Sequence, residues 1–322
     1  MRHLARMLLA ILSVLGAAGG VAAQTWPTKP VKFIVPSPAG TAPDIIARLI
    51  SDRIAVPLGQ RVIVDNRPGA GGIPGMSAFV RSPADGTTFA LVAASTVTLT
   101  PYLFKDPQFD VDRDLLPVAA VGTSPMMVAV ATRSGITSLS DLIQRAKAQP
   151  GKIAFAFPLL NSVPHLTGYM LDRAAGIELY PVAYNGSTAS VTATVSGESL
   201  MTIDGLPPLV PQVKAEQLRA LAVTSRQRLP GYEAVPTVAE MLPGFESIGW
   251  FAVFAPTGTP PTVVARLNRE VNQAIQVPEI VSRLAELGVY PNPGAPEALA
   301  GFLAAQRREW KQVVDAVGLR PQ

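Results

Sequence analysis

The sequence predicts an α/β fold in which largely parallel sheets are divided between two domains. Short β-like runs alternate with amphipathic helical patterns from Val31 to the end of the chain. The chain has 322 residues, of which 48% are hydrophobic, and this is enough for two ordinary domains with their own cores. The order of the elements suggests that the chain leaves the first domain and later returns to it. Such a path would place a cleft where the chain crosses.

A secretory signal peptide is predicted over residues 1–23. The basic residues Arg2 and Arg6 precede an apolar run over residues 7–21, and small residues end the segment at Ala23. The alternative is an N-terminal membrane anchor, which the short run, rich in Gly and Ala, disfavours. We therefore expect cleavage after Ala23 and a secreted protein.

The composition of the mature chain excludes several classes of protein. Removing residues 1–23 removes two arginines and no acidic residue, so the formal net charge falls from +4 to +2. The remaining Lys and Arg residues are scattered, and nucleic acid is therefore not an expected partner. The sequence has no cysteine, and His165 is the only histidine outside the signal peptide. These absences exclude a disulfide framework, a cysteine nucleophile and a Cys- or His-rich zinc site, so we expect no metal or cofactor.

Two segments share one pattern, in which a short apolar strand runs through a loop into the first turn of a helix. We call residues 36–44 the first jaw and residues 158–165 the second jaw. Each helix begins with a hydroxyl residue that can cap it, Thr41 or Ser162. Each also carries a proline in its first turn, where the missing N–H costs nothing. We predict that the two jaws face each other across one ligand site.

The glycine-rich segment over residues 66–72 is interpreted as a tight structural turn. A nucleotide-binding loop is the alternative. No Gly-Lys-Ser/Thr sequence follows, however, and Pro74 stands where the Rossmann spacing requires glycine.

The domain boundaries are predicted where β-like runs are interrupted. Residues 117–131 contain two such runs with a break near residues 122–125, and residues 249–255 form a candidate return strand. We therefore predict a first domain of residues 24–124 plus 251–322 and a second domain of residues 125–250.

Many short motifs occur in a consistent order along the mature chain. They comprise residues 26–31, 35–36, 38–40, Asp44, 65–72, 150–152, Ser162, 165–166, Gly168, 218–225, 236–240 and 254–260. Together they resemble the Bug-type substrate-binding proteins of the tripartite tricarboxylate transporter class. The resemblance implies a periplasmic binding protein with a two-domain, type II fold that closes like a Venus flytrap around a small carboxylate. It also implies that the jaws grip the carboxylate through backbone N–H groups and water, and that membrane permease subunits receive the ligand. We expect a monomer.

The jaws suggest an anion site on physical grounds as well. Neither contains Arg or Lys, yet each leads into a helix N-terminus, whose unpaired N–H groups and dipole attract an anion. The second loop departs from the family pattern, because Phe157, Leu159 and Leu160 replace small Gly and Ser residues. In the first loop, Thr41 stands where a second glycine is common.

We hypothesise a ligand that has an apolar or aromatic body and a carboxylate at one or both ends, such as terephthalate. Two alternatives stay open. Phe157 and Leu159 could pack in the domain core, and the ligand could be an aliphatic di- or tricarboxylate or an amino acid.

The candidate ligand-binding residues come from these segments and from neighbouring loops. They are Ser37, Ala39, Gly40, Thr41, Asp44, Ser95, Thr96, Phe157, Leu160, Asn161, Ser162, His165, Tyr184, Gly186 and Asp204. Ser95 and Thr96 end a predicted strand, at the edge where open α/β sheets place ligand contacts. Several others have structural alternatives. Asp44 could cap the backbone and His165 could be structural. Tyr184 and Gly186 could form a plain turn, and Asp204 could either receive a ligand ammonium group or stabilise a turn.

An enzyme is not expected. A serine hydrolase requires Gly-x-Ser-x-Gly, but the Gly-x-Ser sequences that begin at Gly75, Gly122 and Gly197 lack glycine at the fifth position. A catalytic triad could use only His165, which has no acidic residue nearby in the sequence. A sensor subunit that presents its liganded form to a membrane receptor remains a further alternative.

Overall fold

The computed structural model describes residues 26–160 and 162–321. The predicted signal peptide and the candidate ligand residue Asn161 lie outside these residues. The described chain forms two lobes, each with its own set of parallel strands, which are joined by antiparallel strands.

The first lobe begins with three parallel strands that alternate with helices, and β1 pairs with both of the others. In chain order these elements are β1 (Val31–Val35), α1 (Ala42–Leu58), β2 (Val62–Asn66), α2 (Ile73–Val80), β3 (Thr88–Ala93), α3 (Ala94–Thr98), α4 (Thr100–Leu103) and α5 (Val111–Asp114). Ile46, Ile50 and Ile54 of α1 are fully buried. Their spacing of four residues puts them on one face of the helix, which packs on the sheet.

The second lobe repeats this alternation. A 17-residue strand, β4 (Leu115–Ala131), leads into it. The elements that follow are α6 (Leu139–Ala148), β5 (Ile153–Phe157), α7 (Val163–Ala175), β6 (Leu179–Ala183), α8 (Ser187–Ser196), β7 (Met201–Gly205), α9 (Leu206–Lys214) and β8 (Leu218–Val223). β5 pairs in parallel with β6 and β7, whereas β7 and β8 run antiparallel to the second half of β4.

The chain then returns to the first lobe. The returning elements are β9 (Ile248–Pro256), α10 (Pro261–Ala274), α11 (Pro278–Glu286), β10 (Tyr290–Pro291) and α12 (Pro296–Ala316). β9 lies antiparallel between β3 and the first half of β4. The strands therefore follow the order β2-β1-β3-β9-β4-β7-β5-β6, with β8 and β10 also attached to β4.

The prediction of an α/β fold is confirmed, and the parallel strands lie where each lobe alternates strand and helix. The strands that pass between the lobes are antiparallel, because β4 leaves the first lobe and β9 returns to it. The predicted domain boundaries fall at these two strands.

The final helix, α12, packs against both lobes. Leu299 and Leu303 belong to a buried cluster of the first lobe, whereas Trp310 and Val314 belong to the main buried cluster of the second. A 21-residue helix extends about 30 Å, which is long enough to reach both. All of residues 251–322 are predicted to belong to the first domain, whereas in the structure the end of this helix packs in the second lobe.

Buried hydroxyl groups hold the crossing segments together. The Met126 amide donates to Thr224 Oγ1 at 2.8 Å, and the Thr224 amide donates to the Met126 carbonyl at 3.0 Å. The Ser247 amide in turn donates to the Thr224 carbonyl at 3.0 Å. Thr167 of α7 lies 2.6 Å from Ser247, hydroxyl to hydroxyl. The helix that follows the second jaw is therefore hydrogen-bonded directly to the segment that precedes β9.

Candidate ligand-binding cleft

The two jaws contain the same hydroxyl contact. Thr41 donates its hydroxyl to the Pro38 carbonyl at 2.6 Å, and Ser162 donates its hydroxyl to the Leu159 carbonyl at 2.6 Å. In both cases the acceptor lies three residues before the residue that precedes the helix. Both helices also have a proline in the first turn, as predicted. The predicted local similarity of the jaws therefore extends to their hydrogen bonds.

The predicted helix caps have different outcomes. Ser162 caps α7, because its Oγ accepts a hydrogen bond from the His165 amide at 3.4 Å. Thr41 makes no side-chain cap on α1, so that part of the prediction is wrong. Asp44 closes this loop instead, since its Oδ2 accepts from the Gly40 amide at 2.9 Å. Gly40 has a φ of +81°, a conformation that glycine adopts without strain.

The side chain of Asp44 is buried against the loop of the first jaw. Its carboxylate is 3% exposed and pairs with Arg48 at 2.9 Å. Burial raises the pKa of Asp44, but hydrogen bonds from Arg48 and from the Gly40 amide outweigh burial, so the pKa lies below its usual value. The carboxylate therefore stays ionised and compensated, and it holds the loop backbone in place.

The remaining first-jaw candidates lie around this contact. The Ser37 carbonyl accepts a hydrogen bond from the Asn66 side chain at 3.2 Å. Ser37 and Thr41 are half-buried, while Ala39 and Gly40 are exposed. The loop therefore presents backbone at the surface of the first lobe.

Phe157 and His165 pack together inside the second lobe. Their ring centroids are 4.2 Å apart with an interplanar angle of 26°, and their exposed fractions are 1% and 3%. Burial lowers the pKa of His165 to about 4, so the imidazole is neutral at neutral pH. This packing corresponds to the structural alternative for both residues. The expectation that the Phe157 ring forms a wall of the site is corrected, because the ring is enclosed in the core.

Leu159 and Leu160 behave differently from Phe157. Their exposed fractions are 64% and 56%, so the alternative of core packing does not hold for Leu159. Both line a cavity of about 430 Å³ between the lobes, together with Ser162 and Val163 of the second jaw. The apolar character that the sequence placed in this loop is therefore present at the cleft, but it comes from the leucines.

The first lobe supplies the facing wall of this cavity, but not through the first jaw. None of residues 36–44 is among the described residues that line it, so the structure does not bring the two jaws together in this cavity as predicted. Ser95, Thr100, Leu103 and Phe104 all contribute to the wall, whereas Thr96 is buried. Ser95 thus lies where the sequence predicted ligand contacts, and Thr96 faces inward. Arg320, which follows α12, is also among the residues of the described chain that line the cavity.

The glycine-rich segment is a structural turn that shapes the cavity. It forms a 3₁₀ helix at Ala70–Gly72, and Gly71 has a φ of +64°. A Cβ atom on Gly71 would lie 2.8 Å from Thr100 Oγ1 and 2.9 Å from Phe104 Cε2. The Thr100 hydroxyl donates to the Gly71 carbonyl at 2.9 Å. Glycine is needed here because the wall of the cavity packs directly on its backbone.

Tyr184 and Gly186 support the second jaw. The Tyr184 amide donates to the Phe157 carbonyl at 3.0 Å, and the Gly186 amide donates to the Pro158 carbonyl at 2.8 Å. The Tyr184 hydroxyl donates to Glu198 at 2.9 Å. Both backbone amides are therefore hydrogen-bonded to the start of the second loop, and the two residues support the second jaw.

Asp204 lies at the end of β7, opposite Met127 of β4. It is 6% exposed, and its Oδ1 accepts from the Gly205 amide at 2.7 Å. Burial raises the pKa of Asp204, and the hydrogen bond from the Gly205 amide acts in the opposite direction. The contact with Gly205 fits the turn-stabilising alternative. Asp204 Oδ2, however, is buried with no hydrogen-bond partner among the described residues, so the ligand-contacting alternative stays a prediction.

Six residues that line the cavity belong neither to the predicted candidates nor to the jaws: Gly71, Leu99, Thr100, Leu103, Phe104 and Arg320. Gly71 lies in the segment already interpreted as a turn, and the strand edge at Ser95 pointed toward Thr100. Nothing in the local pattern around Arg320 pointed to the cleft, because α12 brings it there from the first lobe.

The fold and the cleft define a two-lobe solute-binding protein. Two parallel α/β units are joined by crossing strands, and two helix N-termini lead from the jaws. Within residues 26–160 and 162–321, no helix is sufficiently long and hydrophobic to span a bilayer.

Comparison with known proteins identifies the family. The family model of the tripartite tricarboxylate transporter family receptor matches residues 46–319, and the chain belongs to this family. BugT from Bordetella pertussis is 36% identical over 320 residues, which cover 97% of this chain and 98% of BugT. The protein is a Bug-type solute-binding protein and not an enzyme.

Solved structures show the same architecture. Rpa4515 from R. palustris, solved with adipate, has a TM-score of 0.77 and 32% identity, and the match covers 92% of this chain and 100% of Rpa4515. MatC from Rhodopseudomonas palustris, solved with bound malate, has a TM-score of 0.72 and 28% identity. That match covers 90% of this chain and 100% of MatC. These similarities confirm the two-domain binding-protein fold.

Proposed function

We propose that this protein captures a small carboxylate with an apolar body in the cleft and delivers it to the permease subunits of a tripartite tricarboxylate transporter. The observation that carries the proposal is the exposure of Leu159 and Leu160 in the interlobe cavity, next to the start of α7. Adipate and terephthalate represent the two forms of such a ligand, one aliphatic and one aromatic.

The start of α7 supports binding of the carboxylate. Ser162 and Val163 both line the cavity. Val163 is the first residue of the helix, and its N–H has no partner within the helix. The partial positive charge of a helix N-terminus then favours an anion at this position.

The two leucines support an apolar ligand body. Burying the exposed part of one leucine side chain would stabilise the complex by about 1–2 kcal/mol. A cavity of about 430 Å³ lies within the range of small-molecule sites. Citrate or malate would bring more polar groups to these leucines than adipate does and would gain less from them. Adipate in the Rpa4515 structure is a ligand of this chemical class.

The family and the predicted signal peptide support a periplasmic location and a transport role. In the proposed cycle, the ligand contacts the second jaw and the facing wall of the first lobe, and thereby favours the closed arrangement of the lobes. The permease would then receive the ligand from the closed, monomeric protein.

Isothermal titration calorimetry on the chain from Gln24 onward tests the ligand class. We expect adipate or terephthalate to bind about tenfold or more tightly than malate, citrate and glutamate, which corresponds to about 1.4 kcal/mol. Tight binding of citrate or glutamate, with no binding of adipate or terephthalate, would refute the apolar-bodied ligand.

A deletion strain tests the transport role. We expect deletion of the gene to abolish uptake of the ligand found by calorimetry, and plasmid-borne protein to restore it. Unchanged uptake with loss of a transcriptional response to the ligand would instead show a sensor subunit.

A further inference from the structure

We infer that Arg320 binds the second carboxylate of a dicarboxylate in the interlobe cavity and so determines the preference for dicarboxylates over monocarboxylates. This inference rests on the proposed function, because it assigns the far end of the same ligand. Arg320 is the only charged residue among the described residues that line the cavity.

The segment before Arg320 has a defined conformation. The Gly318 amide donates to the Asp315 carbonyl at 3.2 Å, and the Leu319 amide donates to the Val314 carbonyl at 3.2 Å. Gly318 has a φ of +67°. These features make a Schellman motif, which reverses the chain direction at the end of a helix.

Packing then holds this turn against the second lobe. Leu319 lies against the buried cluster that contains Trp310 and Val314. Arg320 follows immediately, with an exposed side chain at the cavity. The cap of α12 thus sets the backbone position from which the Arg320 side chain reaches the cavity.

The chemistry of the cavity matches a ligand that is charged at both ends. One element that attracts an anion is the start of α7, at Ser162 and Val163, and the other is the guanidinium of Arg320. Leu159, Leu160 and Phe104 supply apolar surface in the same cavity. Among the ion pairs formed by residues 26–160 and 162–321, none includes Arg320, so its charge is available. A guanidinium can bind a carboxylate through two parallel hydrogen bonds.

Calorimetry with matched pairs of ligands tests the inference. Adipate and hexanoate both have six carbons, but only adipate has a second carboxylate, and terephthalate and benzoate form the aromatic pair. We expect Arg320→Gln to weaken adipate binding by about 10- to 100-fold and to change hexanoate binding by less than about twofold. Arg320→Lys should fall between the wild type and Arg320→Gln, because lysine keeps the charge but loses the bidentate geometry.

Arg308→Gln is the matched control. Arg308 is also exposed and lies on α12, but it is not among the residues that line the cavity. This variant should bind adipate like the wild type. Thermal melting of all variants should be unchanged, since both side chains are exposed.

The outcomes separate this inference from the proposed function. If Arg320→Gln weakens adipate and hexanoate equally, or leaves adipate binding unchanged, the inference is wrong while the proposed function stands. If the wild type binds neither adipate nor terephthalate, nor either monocarboxylate, the proposed function fails and the inference fails with it. A selective loss of dicarboxylate binding supports both.

Discussion

The imidazole of His165 stacks on the ring of Phe157, with centroids 4.2 Å apart, directly beneath the helix start of the second jaw. The Tyr169 ring also packs against the imidazole, with a centroid distance of 4.9 Å and an interplanar angle of 68°. The histidine is therefore part of the aromatic core that supports the jaw. The second jaw therefore has two different faces. Aromatic side chains pack in the core beneath its loop, and leucine side chains form the surface above it.

The first prediction concerns pH and His165. Its pKa in the folded protein is about 4, below the value of about 6.5 in an unfolded chain. The unfolded state therefore binds the proton more readily between these values, and folding stability should fall as the pH decreases from about 6.5 to about 4. The loss of unfolding free energy attributable to His165 should approach about 3 kcal/mol, at about 1.4 kcal/mol per pKa unit. Above pH 6.5 this loss is absent.

Urea denaturation of the wild type and of His165→Phe, at several pH values from 4.5 to 7.5, measures this effect. The difference in unfolding free energy should move in favour of the variant as the pH falls. Asp172, whose pKa is raised to about 6 by burial, contributes the opposite slope, but it is present in both proteins and cancels. Parallel pH profiles for the two proteins would contradict a buried neutral His165.

The second prediction concerns the apolar surface of the second jaw. Leu159→Ser combined with Leu160→Ser should weaken adipate binding by about 10- to 100-fold, because most of the burial described above is lost. Unfolding free energy should change by less than about 0.5 kcal/mol, since both leucines are largely exposed. Val56→Ser is the control, since Val56 is 74% exposed on α1 and does not line the cavity. Equal affinities for all three proteins would exclude the leucines from the ligand contact.

The third prediction concerns Gly71. Gly71→Ala must adopt a positive φ and also place its Cβ against Thr100 and Phe104. We expect a loss of about 2–5 kcal/mol in unfolding free energy, together with weaker ligand binding.

Gly135→Ala is the control that measures the cost of a positive φ alone, without a steric clash of the added Cβ. Gly135 has a φ of +70° and open space around the position of its Cβ, so only about 1–2 kcal/mol should be lost and ligand binding should not change. Chemical denaturation and calorimetry on both variants make the comparison. Equal losses would mean that Phe104 and Thr100 move aside freely.

The fourth prediction concerns the link between α7 and the crossing segment. Thr167→Val leaves the Ser247 hydroxyl buried without its 2.6 Å partner, and it should destabilise the protein by about 1–3 kcal/mol. Adding Ser247→Ala removes the unsatisfied group and should recover part of this loss.

Thr194→Val on α8 is the control for this link. Its hydroxyl is also buried but contacts only the Ser190 carbonyl of its own helix among the contacts described, so a loss below about 1 kcal/mol is expected. Purely additive effects of Thr167→Val and Ser247→Ala would show that the two hydroxyl groups are not coupled.

The sequence by itself determined the features that depend on neighbours along the chain. The alternation of strands and helices indicated the α/β fold, and the hydroxyl and proline pattern located both jaws and the Ser162 cap. Pro74 and the missing lysine showed that the glycine-rich segment is a turn. These features follow from local backbone geometry, which a few adjacent residues specify.

Tertiary structure decided which side chains reach the cleft. Phe157 and Leu160 are only three residues apart in the sequence. The Phe157 ring packs on His165 in the core, whereas the Leu160 side chain is exposed. Asp44 replaced Thr41 as the group that closes the first jaw, and α12 carried Arg320 to the cavity from the other lobe. Burial depends on elements that arrive from distant parts of the chain, and no local pattern records which elements those are.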